Sequence, residues 1–358
     1  MKIVYDPVSA NLQQPSDRRR FCAYAARRSR AFSTDGNAGA DADVLVLSEG
    51  ADLSRWVAAG KGRAKIVFDF IDSYLAEDAW SWRRNLRGVA KFAVRRTRRL
   101  HLSYRQLLID TCRLADAVVC ATEEQKKAIS AYCPNVHVIL DFQEADVWSI
   151  KSDYRRRPCF NLVWEGLPGN LTTFRPLVPA LRQLQARQPL ALHLITTLQY
   201  PLGLGTLLPR PTQRLAVRVF EGLKNVHLYD WNSLTLSPLA AACDLAVIPI
   251  PLEIGMMAGK PANKLHSFWR MALPVLTSAT PAYLSSMRGA GLAMACSQPE
   301  EWLAKLEYYM GNEGARRDAG QQGKRYADAM YGDEAMASRW DGVFASIGFP
   351  LGSNPAKK

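Results

Sequence analysis

Apolar residues gather in short uninterrupted runs separated by segments of helical length. In the first half these runs are Lys2–Tyr5, Val44–Leu47, Lys65–Phe70, Ala117–Thr122 and Val136–Leu140. In the second half they are Asn161–Gly166, Ala191–Thr197, Val226–Trp231, Leu245–Ile250, Leu273–Ser278 and Leu292–Cys296. The runs are continuous rather than alternating, the pattern of parallel strands covered on both faces. Their alternation with helix-length segments predicts an α/β protein of doubly wound units. Between the halves, KSDYRRRP (Lys151–Pro158) is polar, closes on a proline and reads as a linker. The expected division is a Rossmann-like domain over 1–150, the linker 151–158, a second such domain over 159–330, and a C-terminal helix and tail over 331–358. Two domains of this kind leave a cleft facing the carboxyl ends of both sheets, where such folds bind ligands. From Pro299 to Ile347 the pattern predicts successive helices.

Length and charge sharpen this picture. With 358 residues the chain has room for two domains, and its net charge of +13 calls for an acidic partner. The seven cysteines are scattered, with no CxxC or Cys/His cluster, so free buried thiols are expected and no metal site is. MKIVYDP runs directly into a strand pattern without an apolar signal region, and no uncharged segment reaches the ~18–20 residues that span a bilayer. These features predict a cytoplasmic protein, compatible with peripheral attachment to the inner face of a membrane.

Candidate chemistry concentrates in GKPANKLHSFWRMALPVLTS, Gly259 to Ser278. A helix starting near Asn263 brings free N–H groups and Lys264 to one spot, with Lys260 in the preceding loop. Amides, the positive end of a helix dipole and ammonium groups together suit a diphosphate. A second element is NLVWEGLPGNLTTF, where Gly166, Pro168, Gly169 and Asn170 turn a strand into a helix. Glycine there lets backbone amides approach a phosphate, although the GxGxxG spacing of a dinucleotide site is absent. Asp69 and Asp72, at the carboxyl end of a strand, suit acceptor binding or proton removal from a sugar hydroxyl, or else capping of the next helix. The histidines are scattered and read as structural or exposed.

The ordered second-half motifs resemble the donor domain of GT-B-fold glycosyltransferases of the family 4 type. The resemblance rests on Val163-Trp164-Glu165-Gly166 with Asn170, on Leu194 to Thr197, and on Val226 to Trp231. It continues through Leu239, Asp244, Leu245, Val247, Pro249 and Ile250, then Lys260, Lys264 and Leu265, then Ala272 to Val275. Leu114–Ile129 adds a first-half match, so the similarity covers roughly residues 65 to 330. It implies two Rossmann-like domains facing across a cleft, followed by C-terminal helices. It further implies that Lys264 binds a donor diphosphate with Lys260 nearby, and that Gly166, Asn170 and Thr196 border the donor. Trp231 would lie beside the base and Ser267 near the ribose. The implied activity is retaining, metal-independent transfer from a nucleotide-diphosphate sugar, without a further cofactor, to a saccharide or lipid-linked acceptor in surface polysaccharide or glycolipid synthesis. Lys264 would stabilise the leaving group and Asp72 would act on the acceptor. Two departures stand out: the family's paired glutamates are here Gly259 and Ser267, and the glycine before the last motif is Ala272. Glu253 is a candidate replacement for the sugar-facing carboxylate, or simply a rim residue.

Residues 80–105 are strongly basic, with Trp82, Leu86, Val89 and Ala93 on one helical stripe and arginines and lysines opposite. Such a helix either docks on the fold or attracts an anionic membrane surface, and the basic run Arg18–Arg30 supports the second reading. A nucleic-acid partner is disfavoured, because no reading module and no aromatic platform accompany the charge. A non-catalytic nucleotide-sugar-binding homologue and a sugar-nucleotide epimerase remain alternatives to the transferase.

Overall fold

A computed structural model of the protein describes residues 1–35, 41–71, 75, 103–200, 209–253 and 259–350. The chain divides into two compact units, Met1–Phe142 with Asp333–Lys358, and Gln143–Gly332.

The first unit is built on a parallel sheet of β1 (Ile3–Asp6), β2 (Val44–Ser48), β3 (Lys65–Asp69), β4 (Ala117–Cys120) and β5 (Val136–Val138), in that spatial order. Every residue of β2 and β4 is buried, which is why their sequences are apolar without alternation. Ser33 pairs with Val4 of β1 in an isolated parallel bridge. Helix starts carry their own signals: Ser103 accepts from the Gln106 amide and Thr122 from the Gln125 amide. The helix Asp333–Ser346 returns to this unit. Its Trp340 and Phe344 stack on Tyr24 at 5.6 and 5.5 Å between ring centroids. Arg28 clamps the same helix through Glu334 and Asp341 at 2.7 and 2.8 Å. Each buried aromatic of this kind is worth ~1.5–3 kcal/mol.

The second unit holds β6 (Phe160–Glu165), β7 (Leu190–Thr196), a two-stranded antiparallel ribbon of β8 (Gln199–Tyr200) and β9 (Arg210–Pro211), then β10 (Val226–Asp230), β11 (Leu245–Ile248), β12 (Val275–Ser278) and β13 (Ala295–Cys296). Its six-stranded sheet is all parallel, in the order β10-β7-β6-β11-β12-β13. The order reverses between β6 and β11, so the chain departs in opposite directions there and leaves a crevice outside their carboxyl ends. The polar run Lys151–Pro158 packs into this unit: the Lys151 amide bonds the Met271 carbonyl at 2.8 Å, and the Tyr154 hydroxyl bonds the Ala272 carbonyl at 2.6 Å. Ala272 has φ +56°, a conformation that favours glycine. Gly320 packs so closely on its carbonyl that a side chain there has no room.

All seven cysteines are free, five of them buried, and burial pushes the Cys112, Cys120, Cys243 and Cys296 thiols up to about 12. No described helix is long and apolar enough to cross a membrane. Of the basic stretch 80–105, only residues 103–105 lie within the described residues.

Candidate functional site

The helix Asn263–Arg270 joins β11 to β12, and Leu265, His266, Phe268 and Trp269 form its buried face. His266 is fixed further by stacking on Tyr331, 3.9 Å between centroids, and by a 2.9 Å bond to the Ser286 hydroxyl. Its N-cap, Ala262, makes no side-chain cap hydrogen bond, so no capping side chain at that position offsets the positive end of the helix. Lys264, in the first turn, reaches the carboxyl end of β6, at the sheet's switch point. Its Nζ donates to the Glu165 carbonyl at 2.6 Å, lies 3.3 Å from Glu165 Oε2, and sits 5.5 Å from the centre of the Trp164 ring. The lysine is 35% exposed and the glutamate 21%, so their pairing is worth only ~0–1 kcal/mol to the fold. The pair is therefore poorly explained as a stability device.

Gly166 completes the arrangement for a steric reason. A methyl group on it would lie 2.5 Å from Trp164 Cζ2 and 2.7 Å from Lys264 Nζ. Trp164 cannot yield, because it is buried with its ring edge-to-face on Phe174 at 5.8 Å. Gly166→Ala should therefore displace the ammonium and destabilise the protein by ~1–3 kcal/mol, the usual cost of overpacking. An unchanged urea midpoint would show that the turn relaxes instead.

The other residues singled out from sequence are placed as follows. Asn170 lies half-buried in the 3₁₀ turn Pro168–Phe174, with its amide on the Leu167 carbonyl at 2.9 Å and its carbonyl accepting from Thr173 Oγ1 at 2.7 Å. Thr196 is fully buried, and its carbonyl accepts the Trp231 amide at 3.1 Å, which joins the carboxyl ends of β7 and β10. Lys260 is partly exposed ahead of the helix, and Ser267 is half-buried one turn beyond Lys264. Lys264 and Gly166 thus meet each other, as do Thr196 and Trp231. Glu253 is exposed at the rim of a cavity of about 200 Å³ that Thr173, Ser278, Ser297 and Gln298 also line. Asp72 lies outside the described residues. Asp69 is fully buried and both its oxygens accept from Arg20 Nε at 2.9 Å, so it is bound up inside the first unit rather than capping a helix or facing an acceptor.

Glu165 has no role in the sequence reading beyond its place between Trp164 and Gly166. The usable signal was a charged residue closing a largely apolar strand directly before a glycine turn.

No family model matches the chain, and no curated protein matches it. Solved structures do. TarM is similar at TM-score 0.57 and 10% identity, over 84% of this chain and 54% of TarM. Sucrose-phosphate synthase from Thermosynechococcus elongatus is similar at TM-score 0.58 and 14% identity, over 91% of this chain and 76% of that one. A glycosyltransferase from Rickettsia africae ESF-5 gives TM-score 0.58 at 8% identity, over 97% and 98% of the two chains. The chain spans about half the length of TarM, and at these identities the likeness is one of fold. That fold is the GT-B fold of glycosyltransferases, with its Rossmann-like units. TarM has also been crystallised, as a mutant, with fondaparinux, α-GlcNAc-glycerol and UDP.

Proposed function

We propose that this protein transfers a sugar from a nucleotide-diphosphate sugar to a saccharide or lipid-linked acceptor. The observation that carries the reading is the Lys264 ammonium, held at the carboxyl end of β6 beside a helix N-terminus whose N-cap residue, Ala262, supplies no side-chain cap. In this reaction the bond between the anomeric carbon and the diphosphate oxygen breaks, and its electrons stay on that oxygen. Negative charge builds on the departing group, so a cation placed there binds the transition state more tightly than the ground state. In this reading the positive charge comes from Lys264 and helix amides rather than from a metal. The anomeric configuration is retained, as the resemblance implies. Gly166 and Asn170 border the diphosphate, Lys260 adds a second charge, and Trp231 and Ser267 face the nucleoside. A binding protein without turnover is the second reading, favoured by Gly259 and Ser267 where the resembled family carries glutamates.

A melting panel of nucleoside diphosphates tests the reading, with UDP first because it is the nucleotide in the TarM mutant structure. Ligand at about 100 times Kd adds ~2.7 kcal/mol. At roughly 2–4 °C per kcal/mol, the expected rise is about 5 °C or more. If no nucleoside diphosphate moves the transition, the donor site is wrong. A shift without sugar transfer selects the second reading; where transfer occurs, the product's anomeric configuration and the activity in chelator test retention and metal independence.

A further inference from the structure

We infer that Glu165 is a specificity-determining residue of the Lys264 site, admitting diphosphates that carry sugar hydroxyls and turning away bare inorganic diphosphate. This rests on the reading that Lys264 receives a diphosphate. A carboxylate touching the cation of an anion site is costly for any phosphate ligand, because like charges are brought together where solvent is partly excluded. Yet Glu165 is built into the site. The backbone of β6 holds it, Lys264 binds both its carbonyl at 2.6 Å and its Oε2 at 3.3 Å, and the absence of a side chain on Gly166 lets the ammonium sit there. Its other oxygen, Oε1, has no hydrogen-bond partner among the described residues, and the side chain is 21% exposed. Tyr283 is fully buried, and burial, then the Glu165 charge, raises its phenol above the ordinary value, so it stays neutral and adds no second negative charge.

An ionised carboxylate only accepts hydrogen bonds. Phosphate oxygens at neutral pH offer it few donors, whereas ribose and hexose hydroxyls offer several, and charge-assisted bonds of that kind are the stronger class. Lys264 and Glu165 together therefore match a ligand with anionic oxygens and hydroxyls a few ångströms apart. The partly exposed pair contributes little to folding, so its charge can be altered without unfolding the unit.

The test is calorimetric titration of the full chain with inorganic pyrophosphate, with UDP, ADP and GDP, and with their glucose conjugates. Glu165→Gln keeps the shape and removes the charge. Pyrophosphate should bind about tenfold more tightly to Glu165→Gln and the hydroxyl-bearing ligand about tenfold more weakly, a swing of about 100-fold in their ratio. The melting temperature without ligand should be unchanged. Loss seen already with the nucleoside diphosphates places the contact on the ribose, and loss seen only with the glucose conjugates places it on the transferred sugar. If Glu165→Gln shifts pyrophosphate and nucleotide ligands alike, or shifts neither, while the nucleoside diphosphates still bind the wild-type chain, the inference fails and the donor site stands. If the wild-type chain binds none of these ligands, the donor site fails and the inference falls with it.

Discussion

Lys264→Ala is expected to lower the rate of sugar transfer by about 10²–10³, the usual loss when one preorganised donor to a developing negative charge is removed. The effect should fall mainly on kcat rather than KM, since charge on the diphosphate grows as the bond to the sugar breaks. Folding should hardly change, because the lysine is 35% exposed and its partner Glu165 is partly solvated. Steady-state rates, with a melting curve of the unliganded variant as control, decide the matter. A variant with a full turnover rate and an unaltered KM would remove Lys264 from the chemistry. Gly166 and Lys264 act on one another, so effects of Gly166→Ala and Lys264→Ala on ligand binding should not add.

The largest expected effect on stability lies in the other unit. Arg20 is 1% exposed, donates from Nε to both oxygens of Asp69 at 2.9 Å, and also bonds the Ile139 carbonyl at 2.8 Å. Arg20→Met leaves Asp69 buried without its counter-charge, and breaking a buried pair from one side costs ~3–5 kcal/mol. With m near 1–3 kcal/mol per molar, the urea midpoint should drop by roughly 1–5 M. Pairing Arg20→Met with Asp69→Leu should recover much of the loss, because an apolar pair of similar volume can replace buried ions. If the double variant is no more stable than the single one, the remaining contacts to Ile139 and Asp141 outweigh the pairing with Asp69.

Asp69 shows why the candidate residues were harder to read than the strands. A carboxylate at the carboxyl end of a parallel strand is where ligand-binding groups occur, and its partner Arg20 stands 49 positions earlier. Nothing local in VFDFIDSYL distinguishes a buried ion pair from an exposed acceptor site. The same distance problem concealed Glu165, which meets Lys264 across 99 positions. The bridge at Ser33 and the ribbon β8–β9 escaped for another reason: one or two paired residues leave no hydrophobic period to detect.

From the amino-acid sequence alone came the strand runs of both sheets, the α/β alternation, the glycine turn after Trp164 and the helix that begins beside Lys264. All of these are local, because burial on both faces and the open end of a helix each leave their mark within a few consecutive residues. The fold alone decided that the Asp333–Ser346 helix packs on the first unit, that Lys151–Pro158 laces into the second, and that Asp69 serves a buried arginine. It also placed Glu165 against Lys264. Those outcomes depend on which surfaces and charges meet after the chain has closed on itself, and an amphipathic helix or a lone carboxylate carries no record of the partner it will find.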